Sequence, residues 1–177
     1  AKNNEIIYHK TDTHWNKRGA HYGYVEMMKT LDKVSNIKNA NFKPNLREKF
    51  FENSDKRYVG DISGMMGSKA SNINYDLTAK YKENISEVKA SLEEKKRFHR
   101  PIKYINSNKN LPSAFIYKDS YFGNLFSLVS EHFSSSFYIN EYPCDINLEI
   151  VKQYGSNVVI HEFWEGRIEF ILKGCKS

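Results

Sequence analysis

The stretch HKTDTHWN at residues 9–16, followed directly by KRGA at 17–20, decides how the rest of the chain is interpreted. Asp12 and His14 stand two positions apart, so in an extended segment their side chains point to the same side. A carboxylate in that place can accept a hydrogen bond from one imidazole nitrogen, which leaves the other nitrogen to act as a base. The stretch therefore predicts an acid–base pair just before a helix.

The residues after Asn16 have the pattern of an amphipathic helix. Asn16 is a suitable N-cap, and apolar side chains then recur at helical spacing. We predict a helix over residues 17–33. The positions that carry this pattern are Ala20, Tyr24, Met27, Met28 and Leu31.

The second half of the chain alternates short apolar runs with helical patterns. The runs at 112–118, 136–140 and 158–163 predict strands, and helices are predicted at 122–133 and 146–154, the latter capped by Asp145 and ended by Gly155. This order is typical of right-handed parallel crossovers. We therefore predict an α/β fold, a three-layer sandwich with a mostly parallel sheet.

The first half is less regular. A strand or extended entry is predicted at 5–9, a short helix near 46–51 within the loop-rich stretch 35–60, and a loop with a helical turn at 60–67. Alternating apolar residues predict strands at 75–81 and 98–104, on either side of a solvated charged connection at 83–97.

Composition limits the class of protein. With 177 residues, 40% of them hydrophobic, the chain is expected to form one folded domain. The net charge of +6 suits an anionic partner such as nucleic acid, an anionic glycan or a membrane surface, but the basic residues are scattered. Cys144 and Cys175 are the only cysteines, which excludes a cysteine-based zinc site and leaves one bridge open.

Ser120 is the candidate nucleophile. It follows the run Phe115–Tyr117, and a serine in a strand-to-helix turn is exposed beside backbone amides that can stabilise an oxyanion. The sequence gives equal weight to a second interpretation, in which Ser120 only caps the helix. We expect Asp119 to stabilise the turn. The surrounding residues do not form the GxSxG pattern of the nucleophile elbow.

Two other stretches contain residue types that are common in binding sites. His9, Asp12, His14 and His21 fall within thirteen residues and could hold a divalent metal, although they form neither an HxH nor an HxxxH pair. The glycine-rich stretch 60–67 lacks the Lys-Ser/Thr that a phosphate-binding loop requires, so a tight turn is the preferred interpretation.

These motifs resemble the AlgX/AlgJ-type domain of SGNH hydrolase-like polysaccharide O-acetyltransferases. The resemblance rests on DTHWN at 12–16, VGDI at 59–62 and DSYFG at 119–123, and it extends over about 7–172. The order of the motifs is permuted relative to ordinary SGNH esterases, in which the serine comes first. Tyr121 stands where the family more often has Phe.

The resemblance implies an acetyl-serine mechanism with no cofactor. Ser120 would be the nucleophile, His14 the general base and then acid, and Asp12 the residue that orients the imidazole. Oxyanion or substrate contacts are expected from Tyr121, Gly60 and Asn124. No metal is expected in this mechanism.

The resemblance also implies partners and a location. The acetyl group would come from a membrane-bound O-acyltransferase and pass to a polysaccharide acceptor of an exopolysaccharide system, with no nucleic acid involved. The protein would be a monomer, extracytoplasmic at the cell surface and membrane-tethered. Because only eleven residues precede Asp12, residues 1–177 are expected to be one SGNH-like domain lacking an upstream segment. The alternative is a non-catalytic carbohydrate-binding domain.

Overall fold

The structure, a computed structural model, describes residues 5–46, 50–69, 72–79 and 84–173. The chain forms two compact units. The first comprises residues 1–34 and 42–83, and the second comprises 35–41 and 84–177. The prediction of one SGNH-like domain stays a prediction.

Helix α1, Lys17–Val34, confirms the predicted helix of the first unit. Asn16 caps it as expected, since its Oδ1 accepts a hydrogen bond from the Gly19 backbone N–H at 3.1 Å. The same side chain donates from Nδ2 to the Ile6 carbonyl at 2.8 Å, which ties the entry segment to the start of the helix. The face of α1 bearing Tyr24 and Met28 is fully buried.

The first unit also contains an antiparallel pair of strands, β1 (Phe50–Tyr58) and β2 (Asn72–Ala79). Strand β2 was predicted at 75–81, whereas the short helix expected near 46–51 was wrong because residues 50 and 51 begin β1. A largely polar segment becomes a strand here through its backbone pairing with β2, which local periodicity does not reveal. Residues 47–49 lie outside the described part.

Two shorter elements complete this unit. Helix α2, Asp61–Met65, is the helical turn predicted at 60–67. The strand predicted at 5–9 is reduced to one antiparallel bridge between Tyr8 and Trp15.

The second unit contains a five-stranded sheet. Its strands are β3 (Ile85–Val88), β4 (Ile102–Asn106), β5 (Ser113–Tyr117), β6 (Ser135–Ile139) and β7 (Val158–His161), in the spatial order β3-β4-β6-β5-β7. Strand β5 is parallel to β6 and to β7, while β4 is antiparallel to both β3 and β6. The fold is therefore α/β as predicted. The sheet is mixed, because β3, β5, β6 and β7 run in one direction and β4 runs in the opposite direction. Three layers and a permuted order stay predictions.

The connection at 83–97, expected to be solvated throughout, supplies the edge strand β3 and helix α3 (Leu92–Arg97). Helix α3 begins with a capping box in which the Ser91 hydroxyl accepts from the Glu94 N–H and the Glu94 carboxylate accepts from the Ser91 N–H. A charged sequence can form an edge strand when a neighbour satisfies its backbone, and β4 does so here.

The helices of the second half are shorter than predicted. In place of the single helix predicted at 122–133, the structure has a 3₁₀ helix, Ser120–Asn124, followed by α4 (Phe126–Ser130). Helix α5, Leu148–Gln153, is capped by Asn147 and not by Asp145, because the Asn147 Oδ1 accepts from two backbone amides at 3.1 and 3.2 Å. Gly155, at φ 59°, follows the end of α5 as predicted. A 3₁₀ turn at Glu165–Arg167 and helix α6, Ile168–Leu172, end the described chain.

An aromatic cluster fixes β5 in the sheet. Phe98, Phe115 and Phe137 are buried together, with ring centroids 5.4–6.1 Å apart. Tyr117 at the end of β5 belongs to the same cluster. This packing fixes the carboxyl end of β5 and the turn that follows it.

Within the described residues no helix is long and apolar enough to cross a membrane. Cys144 is disulfide-bonded. Cys175 lies outside the described residues.

Candidate active site

Asp12 and His14 form the hydrogen-bonded contact that their spacing predicts. The His14 Nδ1 lies 2.6 Å from the Asp12 Oδ1, and the same oxygen accepts the His14 backbone N–H at 2.8 Å. The Asp12 side chain is 2% exposed and that of His14 is 28% exposed. A buried carboxylate on Nδ1 sets the tautomer in which Nε2 is the basic nitrogen.

The other oxygen of Asp12 is held by the start of helix α2. The Asp61 backbone N–H donates to the Asp12 Oδ2 at 3.0 Å, and the Gly60 N–H donates to the Thr11 Oγ1 at 3.2 Å. A Cβ at Gly60 would collide with the Thr11 carbonyl and lie 2.6 Å from the Asp12 Cβ. Glycine is required at position 60 so that the turn can approach the aspartate.

Asp61 is a site residue that was not predicted. Its carboxylate accepts the Thr13 N–H at 2.8 Å and the Thr13 hydroxyl at 2.6 Å, and its Oδ2 lies 3.8 Å from the His14 Nδ1. The hydrogen bond from the Thr13 hydroxyl is the main cause that lowers the pKa of Asp61. The VGDI motif at 59–62 is the signal in the sequence that points to Asp61.

The metal alternative takes a different form in the structure. The described residues that approach one another closely enough are Asp12, His14 and Asp61, whose ligand atoms lie within 4.8 Å. His21 binds the Asn45 carbonyl through Nε2 at 3.0 Å and is not part of this group. The pKa of His9 is lowered, chiefly by burial. The carboxylates already accept hydrogen bonds from backbone amides and Thr13, which favours an orienting role over a metal centre.

Ser120 stands in the exposed position expected of a nucleophile. It is the first residue of the 3₁₀ helix that follows β5, and it is exposed to solvent. The cap of that helix is Asp119, whose Oδ1 accepts the Tyr121 N–H at 2.7 Å. The interpretation of Ser120 as the cap is therefore wrong, and the expectation that Asp119 stabilises the turn is confirmed.

The three residues predicted as oxyanion or substrate contacts, Tyr121, Gly60 and Asn124, lie in different surroundings. The backbone amides of Tyr121 and Gly60 already donate to Asp119 and to Thr11. Asn124 is half-buried at the end of the same 3₁₀ helix as Ser120. An oxyanion or substrate role for these three residues stays a prediction.

A second unpredicted residue, Glu162, is hydrogen-bonded to Asp119, the residue before Ser120. The Asp119 N–H donates to the Glu162 Oε2 at 3.0 Å, and the Asp119 Oδ2 accepts the Trp164 N–H at 2.7 Å. Burial raises the pKa of Glu162 to about 7, and burial lowers the pKa of Lys118. Glu162 lies just beyond β7, and nothing in the local sequence distinguishes it from an ordinary surface glutamate.

Asp12 and His14 belong to the first unit, and Ser120, Tyr121 and Asn124 to the second. The structure places Gly60 beside Asp12 within the first unit. Within the second unit, Tyr121 is bonded to the residue that precedes Ser120.

No family model and no curated protein matches this chain. Bacillus cereus PatB1 with a sulfonyl adduct is similar in structure, with a TM-score of 0.70 at 18% identity over 92% of this chain and 62% of that chain. A DHHW family protein from Eubacterium siraeum has a TM-score of 0.65 at 16% identity over 89% of this chain and 59% of that chain.

Pseudomonas aeruginosa AlgX has a TM-score of 0.49 at 16% identity over 92% of this chain and 37% of that chain. The chain covers about three fifths of the length of PatB1 and of the DHHW family protein, at 62% and 59%. At sequence identities of 16–18%, these similarities show a shared fold and nothing about activity. The chain therefore has a mixed α/β fold that it shares with PatB1 and the DHHW family protein.

Proposed function

We propose that this chain is a serine-dependent O-acetyltransferase domain of the SGNH type, with Ser120, His14 and Asp12 as its catalytic residues. The observation that carries the proposal is the 2.6 Å hydrogen bond between the His14 Nδ1 and a buried Asp12 carboxylate. A general base requires an imidazole whose Nδ1 is held by a carboxylate, so that its Nε2 is oriented toward the proton it takes. Backbone N–H groups of His14 and Asp61 hold the Asp12 carboxylate in place, which a purely structural ion pair would not require.

The first half-reaction loads the serine. The Ser120 Oγ attacks the acetyl carbonyl carbon of the donor while the His14 Nε2 takes the hydroxyl proton. The tetrahedral intermediate collapses, the bond between the acetyl carbon and the donor oxygen breaks, and His14 returns the proton to that oxygen. Asp12 stabilises the imidazolium that forms in between.

The second half-reaction transfers the acetyl group. A sugar hydroxyl attacks the acetyl carbon of acetyl-Ser120, His14 takes its proton, and the Ser120 Oγ leaves with the proton that His14 returns. Water in place of the sugar gives acetylesterase activity by the same steps. One imidazole thus serves as base and acid in each half-reaction.

The partners follow from the motif resemblance. The acceptor is a hydroxyl of an extracellular polysaccharide, and the donor is a membrane-bound O-acyltransferase. Nucleic acid has no part in the reaction. The domain acts as a monomer at the cell surface, outside the cytoplasm and tethered to the membrane.

Two features of the similar structures support the proposal. PatB1 has been observed with a sulfonyl adduct. If the letters of the DHHW family name are read as residues, then Asp12, His14 and Trp15 match three of the four, with Thr13 at the second position. Both features direct the test to a serine-reactive sulfonyl fluoride and to this motif.

The test is covalent labelling followed by intact-mass spectrometry. The wild-type protein should gain one sulfonyl group, and Ser120→Ala should gain none. His14→Ala should be labelled more slowly by about 10²-fold or more, because the serine has lost its base. Ser127→Ala, a change at another partly exposed serine of the same unit, is the matched control and should label like the wild type. A wild-type adduct that persists on Ser120→Ala would overturn the proposal.

Acetyl transfer is tested separately with an activated acetyl ester. An increase of one acetyl group in intact mass, absent from Ser120→Ala, would show the intermediate. Turnover that persists in both Ser120→Ala and His14→Ala would contradict the mechanism. Binding of oligosaccharide without acetylation of the serine would favour the carbohydrate-binding alternative.

A further inference from the structure

The turn that carries Ser120 is tied to the segment beyond β7 by a set of hydrogen bonds, which we call the turn clamp. The Asp119 N–H donates to the Glu162 carboxyl at 3.0 Å, and the Glu162 N–H donates to the Tyr117 carbonyl at 2.9 Å. The Trp164 N–H donates to the Asp119 carboxylate at 2.7 Å. Asp119 and Tyr117, one and three positions before Ser120, are therefore hydrogen-bonded to residues 162–164.

The clamp also determines the local geometry of the helix that begins at Ser120. Asp119 accepts the Trp164 N–H with one carboxylate oxygen and the Tyr121 N–H with the other. It is 4% exposed, so these hydrogen bonds are shielded from water. Displacement of Asp119 would move Ser120 directly, because the two residues are adjacent in the chain.

We infer that Glu162 is a positioning residue for Ser120 and that it performs this role with its carboxyl group protonated. In that form one Glu162 oxygen accepts the Asp119 N–H. The acid proton of Glu162 is donated to the Asp119 carboxylate, in the hydrogen bond that joins the two side chains. Ionised Glu162 would lose the donated hydrogen bond and place two negative carboxylates in contact. This inference rests on the proposed function of Ser120.

The surroundings of Glu162 favour the neutral acid. Burial is the largest cause that raises the pKa of Glu162 to about 7. The Asp119 backbone N–H opposes this rise, whereas the Asp119 carboxylate adds to it through its charge and a side-chain hydrogen bond. Lys118 opposes it, but burial lowers the pKa of Lys118 itself. Tyr142, which follows β6, also interacts electrostatically with Glu162 and Asp119. The other charged groups acting here are Arg100, which lowers the pKa of Lys118, and Arg167, whose guanidinium lies 4.4 Å from the Tyr142 ring centroid.

The consequence is a second pH limit on the reaction. The general base of the proposed mechanism must be neutral, so the rate rises with pH from the acid side. The clamp weakens as Glu162 ionises, so the rate falls again as pH rises through about 7. The inference therefore predicts a bell-shaped profile whose alkaline side belongs to Glu162 and not to a residue that touches the substrate.

The experiment compares pH profiles of Ser120 sulfonylation for the wild type, Glu162→Gln, Glu162→Ala and Glu165→Ala. Glu162→Gln keeps an acceptor for the Asp119 N–H and a donor for its carboxylate but cannot ionise, so its profile should lose the alkaline fall. Glu162→Ala should react more slowly than Glu162→Gln at every pH, by about 10- to 100-fold, the cost of a displaced reacting group. Glu165→Ala, an exposed glutamate three positions on, should retain the wild-type profile.

A second measurement does not depend on reactivity. Amide hydrogen exchange of Asp119 and Trp164 should quicken in Glu162→Ala and, in the wild type, should quicken beyond the intrinsic pH trend above about pH 7. If Ser120 proves inert while this exchange pattern is found, the proposed function fails and the clamp stands as a structural device. If Ser120 is labelled and all four proteins share one pH profile and one exchange pattern, the clamp is overturned and the proposed function is unaffected.

Discussion

A single oxygen of Asp12 holds His14 twice, through the ring Nδ1 at 2.6 Å and through the backbone N–H at 2.8 Å. The backbone contact fixes the position of the His14 main chain, and the ring contact fixes the orientation of its imidazole. Because the second Asp12 oxygen is bonded to the Asp61 N–H at 3.0 Å, the carboxylate itself cannot rotate without breaking hydrogen bonds.

Replacement of Asp12 by Asn should reduce kcat for an activated acetyl ester by about 10³- to 10⁴-fold with little change in KM. The amide can still accept a hydrogen bond from the His14 backbone, but it does not stabilise an imidazolium or set the correct tautomer. Steady-state kinetics check this expectation. Asp32→Asn, an exposed change on helix α1, is the control and should retain wild-type kinetics. An Asp12→Asn enzyme of full activity would remove Asp12 from the mechanism.

Gly60→Ala should destabilise the protein by about 1–3 kcal/mol and lower its activity. The new Cβ would collide with the Thr11 carbonyl and lie 2.6 Å from the Asp12 Cβ, so backbone must shift to accommodate it. Denaturant unfolding gives the free energy, and the esterase assay gives the activity.

Gly64→Ala is the matched control for that change. Gly64 lies in helix α2, and a Cβ there would meet no atom within 4 Å. Alanine in a helix interior stabilises by about 0.5–1 kcal/mol relative to glycine. Equal effects at positions 60 and 64 would contradict the close approach at Gly60.

Chelation should leave activity unchanged. Asp12, His14 and Asp61 approach closely enough to hold a cation, yet their carboxylates already accept hydrogen bonds from Thr13, from His14 and from the Asp61 amide. We expect equal rates of sulfonylation and ester hydrolysis before and after treatment with EDTA. A loss of rate that added Zn²⁺ or Mg²⁺ restores would assign these residues to a metal centre instead.

His132 should make the protein less stable in acid. It is 5% exposed, its Nδ1–H donates to the Asn41 carbonyl at 2.6 Å, and burial lowers its pKa from 6.5. Below pH 6.5 the unfolded chain takes up a proton at this position that the folded protein resists, so the free energy of unfolding falls as pH decreases toward the lowered value. Stability from this group is therefore fully present above pH 6.5.

Denaturant unfolding between pH 4 and 8 tests that sign. His132→Gln lacks the titrating ring, so the wild type should lose more stability than the variant as pH falls through the window below 6.5. Parallel curves for the two proteins would show that His132 does not contribute to the acid sensitivity.

Local patterns were enough to predict several parts of the protein. Asn16 and the apolar spacing after it predicted α1, because capping and amphipathic periodicity act within a few residues. The spacing of Asp12 and His14 predicted their contact for the same reason. The three strands β5, β6 and β7 were predicted because they are buried apolar runs bounded by turn residues.

Other parts depended on residues far apart in the chain. Strand β1 is polar and forms through pairing with β2, and β3 forms through pairing with β4, so neither is visible in its own sequence. Asp61 reaches Thr13 across 48 positions, and Glu162 reaches Asp119 across 43. A carboxylate acquires an unusual pKa or a positioning role only from what the fold places beside it.

The sequence by itself thus determined the Asp12–His14 pair, the capped helix beside it and an apolar strand that ends just before Ser120. Only the tertiary structure decided that Asp119 and not Ser120 caps the following helix, and that Gly60, Asp61 and Glu162 support these residues. The physical reason is one of range. Capping and side-chain alternation are fixed by neighbours in the chain, whereas burial and hydrogen bonds between distant segments exist only after the chain has folded.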